Sequence, residues 1–278
     1  MRCVDCFAKW GPRDALIFPG RSAISYAELD RRVSKLADEL GSKRKLIAIQ
    51  AAKSEHAIVS YLAALKGGHV VALLPPCSAV AMADFAEDFA PDIEFRQMDN
   101  RWCRYEDTRC ADSSLHRDLA VLLGTSGSTG RSRFVRLSAF AVEANARSIA
   151  DYLELDCEDR AALILPWHYS YGLSVINSHL AVGASVYVAE KSASDAAFAA
   201  EMCAAACTNI AGVPHSYEMM NRTGFLEESL PALRFMTAAG GRMPAPLTDR
   251  FRRHLEPEGK QFFLMYGQTE ATARIAYV

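Results

Sequence analysis

The chain holds 278 residues, half of them hydrophobic, 23% charged and 9% aromatic, which excludes a disordered tail, a collagen-like fibre and a low-complexity polymer. Its length supports a sizeable core in one large domain or two smaller ones. With 31 basic against 33 acidic side chains and no basic run longer than Lys43-Arg44-Lys45, nucleic acid is not an expected partner.

From the N-terminus, Met1-Arg2-Cys3-Val4-Asp5-Cys6 lacks the apolar core of an export signal. No stretch approaches the ~18 apolar residues of a membrane span. The expectation is a cytoplasmic protein whose eight cysteines are reduced. Cys3 and Cys6 form a CxxC with no second pair and no nearby histidine, so ordinary cysteines are expected there. Cys203 and Cys207 lie four apart in an alanine-rich helical stretch and are expected as small buried side chains.

Ser25-Tyr26-Ala27-Glu28 reads as a reciprocal capping box. Leu29, Val33, Leu36, Ala37 and Leu40 follow at helical spacing, and Gly41 is expected to end that helix in the left-handed conformation. Leu46 to Gln50 reads as a buried strand, His56 to Lys66 as a helix closed by Gly67-Gly68, and Val70 to Leu74 as a strand stopped by Pro75-Pro76. Residues 96 to 118 read as a polar, irregular surface excursion. Strands are expected at Leu119–Leu123, Ala161–Leu165, after Gly183 towards Val188, and at Asn209–Gly212, Leu233–Ala238 and Gln261–Met265. Helices are expected at Ala139–Leu153, Ala196–Cys207 and Pro246–His254. Continuous apolar strands between amphipathic helices imply an α/β fold of mostly parallel sheet covered by helices on both faces. We divide it into a first subdomain, 1–118, and a second, 119–278.

In such folds ligands gather where strands end and loops begin. The run Gly124-Thr125-Ser126-Gly127-Ser128-Thr129-Gly130-Arg131-Ser132-Arg133 follows a strand. Its glycines bring amides close to an anion, its hydroxyls can wrap phosphate oxygens, and Arg133 adds a forked cation. It fits neither GxxxxGK[ST] nor GxGxxG. By composition it is a phosphate cradle or a polar connector.

The segment Thr125-Ser126-Gly127-Ser128-Thr129-Gly130 resembles the phosphate loop of the acyl-adenylate-forming (AMP-binding) superfamily, which includes acyl- and aryl-CoA synthetases, nonribosomal adenylation domains and luciferases. Four further segments agree in the superfamily's order. Ser25-Tyr26-Ala27-Glu28-Leu29 is similar to its (T/S)YxEL element, and Leu65-Lys66-Gly67-Gly68 through Leu74-Pro75 to its LKAGxxxxPL element. Pro166-Trp167-His168-Tyr169-Ser170-Tyr171-Gly172-Leu173 is similar to PxxHxxGL, and Tyr266-Gly267-Gln268-Thr269-Glu270 to YGxTE.

The resemblance implies activation of a carboxylic acid with Mg-ATP as an acyl-adenylate. Transfer to the thiol of coenzyme A or of a phosphopantetheine carrier would follow. Thr125, Ser126, Ser128, Thr129 and the glycines 127 and 130 would cradle the β- and γ-phosphates. Arg133 stands where most members carry lysine, and Ser132 where most carry proline. Thr269 would bond the α-phosphate and Glu270 would hold Mg²⁺. Tyr266, Gly267 and Gln268 of YGQTE, with the Gly240-Gly241-Arg242 turn, would form the nucleotide site, Tyr266, Gly267 and the turn lining the adenine. His168 would lie beside the substrate carboxylate. With no aspartate among residues 167–170, a plain acid is favoured over an α-amino acid. Trp167, Tyr169 and Tyr171 fit an acyl pocket or core packing equally well; His179 and His215 are expected to be structural.

The sequence stops eight residues after Glu270. The resemblance implies a longer protein, with a ribose-binding aspartate, a hinge and a C-terminal lid domain carrying a catalytic lysine. The expectation is therefore an N-terminal portion, impaired by itself. The competing reading is a non-catalytic nucleotide- or acyl-binding module.

Overall fold

The computed structural model describes residues 7–76, 78–99, 101–106, 115–125 and 133–278. Two sheets organise them. In one, β1 (Asp14–Ile17), β9 (Arg160–Ala162), β10 (Ser185–Tyr187), β11 (Asn209–Gly212), β12 (Phe235–Ala238) and β13 (Gln261–Tyr266) run parallel. Antiparallel edges β2 (Ile24–Ser25) and β14 (Ala276–Tyr277) complete the order β14-β13-β12-β11-β9-β10-β1-β2. In the other, β3 (Leu46–Gln50), β4 (Val70–Leu74), β5 (Ile93–Met98) and β7 (Leu119–Thr125) run parallel. Here β6 (Arg101–Glu106) and β8 (Arg133–Ser138) are the antiparallel edges, in the order β6-β5-β3-β4-β7-β8.

Both faces of each sheet are covered, and the two-residue side-chain period of a strand sorts its residues between separate cores. Ile47, Ile49, Val71, Leu73, Val121 and Leu123 enter the central core, whereas Leu46, Ala48, Val70, Ala72, Leu74 and Leu122 enter an outer one. The eight-stranded sheet behaves alike: Ala161, Val186 and Ala211 face the central core, and Ala162, Tyr187 and Ile210 face away. Helices α1 (Tyr26–Leu40), α2 (Glu55–Lys66) and α5 (Ser170–Val182) contribute to the central core. Helix α3 (Ala79–Phe89) covers the outer face of the six-stranded sheet. Helices α6 (Phe198–Ala204), α7 (Pro214–Arg222) and α8 (Ala245–Leu255) cover that of the eight-stranded sheet. Helix α4 (Ala139–Tyr152) packs along α5. Tyr61 on α2 donates to Asn177 Oδ1 on α5 at 3.1 Å. No helix of the described residues is long and apolar enough to cross a membrane.

The sheets interleave in sequence. Strands β1 and β2, from before residue 118, join the eight-stranded sheet, and β7 and β8, from after it, join the six-stranded one, so a boundary at 118/119 does not separate the sheets.

Several local expectations are corrected. Ser25 does cap α1 by accepting from Glu28 N at 3.2 Å, but the Glu28 carboxylate turns to Arg31 and Arg32 rather than back to the Ser25 amide. Gly41 has φ 77° with ψ 175°, outside the left-handed helical well. Residues 96–98 and 101–106 are not irregular: β5 and β6 pair in register from Ile93↔Glu106 to Met98↔Arg101, while 107–114 of the expected excursion lie outside the described residues. Strand β9 stops at Ala162, where Ile164 N turns back to Ala162 O at 3.1 Å. Helix α6 spans only Phe198–Ala204, because Ala206 takes φ 50° and Cys207 N bonds Met202 O beyond the helix end. Cys207 is buried as expected, but Cys203 is exposed. Cys3 and Cys6 lie outside the described residues.

Candidate active site

The carboxyl ends of β7, β9, β11, β12 and β13 converge on one cleft of about 590 Å³, the place where open parallel sheets bind ligands. Its wall comprises Gly124 and Thr125 at the end of β7, Leu165 to Gly172 after β9 except Trp167 and His168, and Val213 after β11. Ala239 and Gly240 after β12, and residues 267–270 with Ala273 and Arg274 after β13, complete it.

Of the residues singled out in the sequence, Thr125, Gly240, Gly267, Gln268, Thr269 and Glu270 line this cleft together. Ser170 Oγ lies 3.4 Å from Thr269 Oγ1, linking the PWHYSYGL and YGQTE segments. Glu270 is exposed and has no ion-pair partner among the described residues. Ser126, Gly127, Ser128, Thr129 and Gly130 lie outside the described residues. Their flanks are nonetheless informative. Thr125 and Arg133 face one another in the β7–β8 hairpin, and Thr125 Oγ1 donates to Arg133 O at 3.3 Å, so the loop leaves and re-enters one antiparallel pair. The Arg133 residue is exposed and does not line the cleft; nor do Gly241 and Arg242, both exposed, or Tyr266, 61% exposed on β13.

His168 also stands outside the lining. It is 8% exposed, its ring packs on Tyr169 with centroids 4.1 Å apart, and its Nδ1 has no hydrogen-bond partner. Burial pushes its pKa down to about 4, so the imidazole is neutral near pH 7. The neighbouring aromatics separate. Trp167 is fully buried, its Nε1 donating to Ala52 O at 2.9 Å, and belongs to the core; Tyr169 and Tyr171 line the cleft. His179 is buried with Nδ1 2.9 Å from Val175 O, and His215 is exposed on α7, 3.6 Å from Glu218, so neither enters the site.

Two motif glycines have steric causes. A Cβ on Gly172 would sit 2.4 Å from Pro166 O, and one on Gly267 would sit 1.5 Å from Ala273 O. The loop after β13 therefore folds back on itself only because position 267 has no side chain. Its return passes through Thr272 at φ 69° and Ala273 at φ 128°, positive values that non-glycine residues rarely adopt and that cluster at ligand sites.

Sequence reasoning missed what holds that loop. Arg274 lines the cleft yet is only 8% exposed, with its guanidinium carbon 5.0 Å from the Tyr171 ring centre. Its Nη1 donates to Tyr152 Oη at 3.2 Å, and Asn145 Nδ2 donates to its carbonyl at 3.0 Å, both partners lying on α4. The Tyr171 hydroxyl donates at β12, 2.9 Å from Thr237 O. The only signal in the sequence was the position of Arg274, four residues past the glutamate of YGQTE.

A model of the family described as AMP-binding enzyme matches residues 78–278. The chain belongs to the AMP-binding enzyme family. Among curated relatives of this AMP-binding enzyme, the indoleacetate–CoA ligase of Aromatoleum aromaticum is 27% identical, aligned over 98% of this chain and 61% of that protein. The 2-succinylbenzoate–CoA ligase of Haemophilus influenzae is 23% identical, over 91% of this chain and 54% of that one. The chain thus spans a little over half the length of these ligases. Of solved structures, VinN in complex with L-aspartate superposes with a TM-score of 0.83 at 20% identity, covering 99% of this chain and 78% of VinN. That likeness establishes the fold: two largely parallel sheets flanked by helices, as in the N-terminal domains of adenylate-forming enzymes.

No cluster of three or more His, Cys, Asp or Glu that could hold a metal occurs among the described residues of this AMP-binding enzyme. Glu270 alone at the cleft suits Mg²⁺, which takes one or two carboxylates and completes its octahedron with phosphate oxygens and water. Gly240, at φ 83°, presents bare backbone to the cleft, a surface that a flat base can approach.

Proposed function

We propose that this chain forms the nucleotide- and acid-binding part of an ATP-dependent acid–thiol ligase. In this reading a carboxylate oxygen bonds to the α-phosphorus of ATP as pyrophosphate leaves. A thiol of coenzyme A, or of a phosphopantetheine carrier, then takes the acyl group and AMP departs. The observation that carries it is the convergence of Thr125, Gly240, Thr269 and Glu270, from three separate segments, on one cleft. The curated relatives named above, both CoA ligases, support the thiol acceptor.

The problem for such a site is charge, because a carboxylate must approach a polyanion. Mg²⁺, when bound, supplies neutralising charge to the phosphates. The hydroxyls of Thr125 and Thr269 donate to phosphate oxygens, and Glu270 holds the metal. The 126–130 loop, returned to its start by the β7–β8 pairing, cradles the terminal phosphates with Arg133 at its exit. Gly240 and Gly267 border the adenine and Gln268 completes the nucleotide site, while Gly241, Arg242 and Tyr266, exposed outside the lining, are not assigned a contact. His168, neutral and packed behind Tyr169, orients that ring against the acid rather than carrying charge to it.

Calorimetry of MgATP binding tests this, alongside ATP–pyrophosphate exchange with fatty, aryl and amino acids. Removing a hydrogen bond to a charged group costs about 1.5–3 kcal/mol, so Thr269→Ala should weaken MgATP by ~10–100-fold, and Glu270→Ala should weaken it only when Mg²⁺ is present. Unchanged affinity in both variants would refute the assignment. Binding without exchange for any acid would favour a non-catalytic binding module.

A further inference from the structure

Arg274 is a buried cation without an anion. It is 8% exposed, and no carboxylate lies within ion-pair distance of it among the described residues. Its Nη1 meets only neutral partners, Tyr152 Oη at 3.2 Å and Met265 Sδ at 3.6 Å, and its Nε has no hydrogen-bond partner. Arginine cannot relieve this by losing its proton. Taking a charge out of water without an opposite charge is strongly unfavourable, so a fold that keeps one at a cleft leaves a ligand to complete it. The residue is also fixed in advance: Asn145 grips its carbonyl, Tyr152 its Nη1, and Tyr171 underlies its face at 5.0 Å. With Nη1 held by Tyr152 and Nε buried and unpartnered, Nη2 makes no hydrogen bond among the described residues and is the nitrogen left for a carboxylate at the cleft.

Which anion this is follows from the rest of the cleft. Thr125, Thr269 and Glu270 serve the phosphates in the proposed function, on which this inference rests. The reacting carboxylate must remain nucleophilic, and a tight ion pair with arginine would oppose its attack. Beside Arg274 the wall offers Tyr169, Tyr171, Val213 and Ala273, which suit a carbon skeleton. We infer that the acid taken by this cleft carries a second anionic group, which Arg274 reads at the end of an apolar or aromatic spacer. The substrate class is a dicarboxylic acid or an acid with an equivalent non-reacting anion. A cationic α-ammonium placed there would be repelled.

The test compares matched acids on this chain in the presence of MgATP: glutarate with valerate, adipate with hexanoate, and terephthalate with benzoate. Calorimetric affinity should favour at least one dianion over its match by ~10-fold or more, the worth of a charge-assisted hydrogen bond. Arg274→Gln, and Arg274→Met as the apolar alternative, should erase that preference, read as the ratio of dianion to monoanion affinity within each variant so that any change in MgATP affinity cancels. Arg274→Lys should retain part of it. The wild-type comparison needs no variant, so misfolding of a substituted chain does not rescue the idea. Three results overturn it: no dianion preferred by the wild type, a preference that survives Arg274→Gln, or an equal loss for mono- and dianions, which would place Arg274 on the reacting carboxylate. Failure of MgATP itself to bind would instead remove the parent reading.

Discussion

Three histidines, His69, His168 and His179, are each no more than 8% exposed. Burial is the first cause that lowers the pKa of every one of them, with Lys45 and Arg44 adding to it for His69. Between the ordinary histidine value of 6.5 and the value of about 4 for His168, the unfolded chain takes up a proton that the native state refuses. The unfolded state therefore binds more protons in that window, and stability falls as pH drops through it, by up to ~1.4 kcal/mol per pH unit for each such group. Urea midpoints from pH 7.5 to 4.5 should decline, and His168→Asn should flatten the decline. An unchanged slope in that variant would show that His168 is not among the responsible groups. At this scale the sequence marked His168 as special but could not show that its ring stands behind Tyr169. That depends on packing, and an imidazole in an apolar run reads alike whether it faces a cleft or a core.

Ser25, Ser54, Ser78 and Ser138 each accept from the amide three residues on, satisfying a donor the helix itself cannot. Of these serine caps, the sequence reading named only Ser25, and it did not expect the helix that follows Ser78. Ser138 begins α4, which carries both Asn145 and Tyr152 to Arg274. Ser138→Ala should cost about 1 kcal/mol, read as a lower urea midpoint at unchanged m-value. No loss would mean water replaces the cap. Strands β3, β4 and β11 matched their sequence bounds because each is buried at every position and centres on consecutive apolar residues. Helix α5 escaped notice for the same reason: residues 172–180 are buried all round, leaving no amphipathic stripe. The β5–β6 hairpin escaped because β6 buries no residue fully, and its charges read as a surface loop.

In the whole molecule, the ends of β9, β11 and β12 opposite the cleft meet at one buried carboxylate. Asp159, 2% exposed, accepts from Arg234 Nη1 at 2.6 and 2.7 Å and from Thr208 Oγ1 at 2.6 Å. Removing it leaves Arg234 without its counter-ion and Thr208 without its nearest acceptor, and breaking a buried pair costs ~3–5 kcal/mol. Asp159→Ala should fall at the lower end, because Arg234 is 44% exposed and can regain water. Asp14→Ala, which breaks the outlying 3.4 Å pair with Arg160, should cost no more than ~1 kcal/mol. Guanidinium unfolding of both variants checks this, and equal costs would contradict the burial argument.

Caps, strand periods, the hydroxyl–glycine loop and the YGQTE segment are properties of near neighbours in the chain, and the sequence by itself determined them. So were the glycines, since a turn too tight for a Cβ is a local demand even when the atom it avoids lies several residues away. Tertiary structure alone decided which segments share a cleft. Thr125 stands at the end of a strand in one sheet and Thr269 after a strand in the other, brought together by a sheet order that no local pattern encodes. It likewise decided that Arg274 is buried against Tyr171 with no carboxylate in ion-pair range among the described residues, because its surroundings come from positions more than a hundred residues away in sequence.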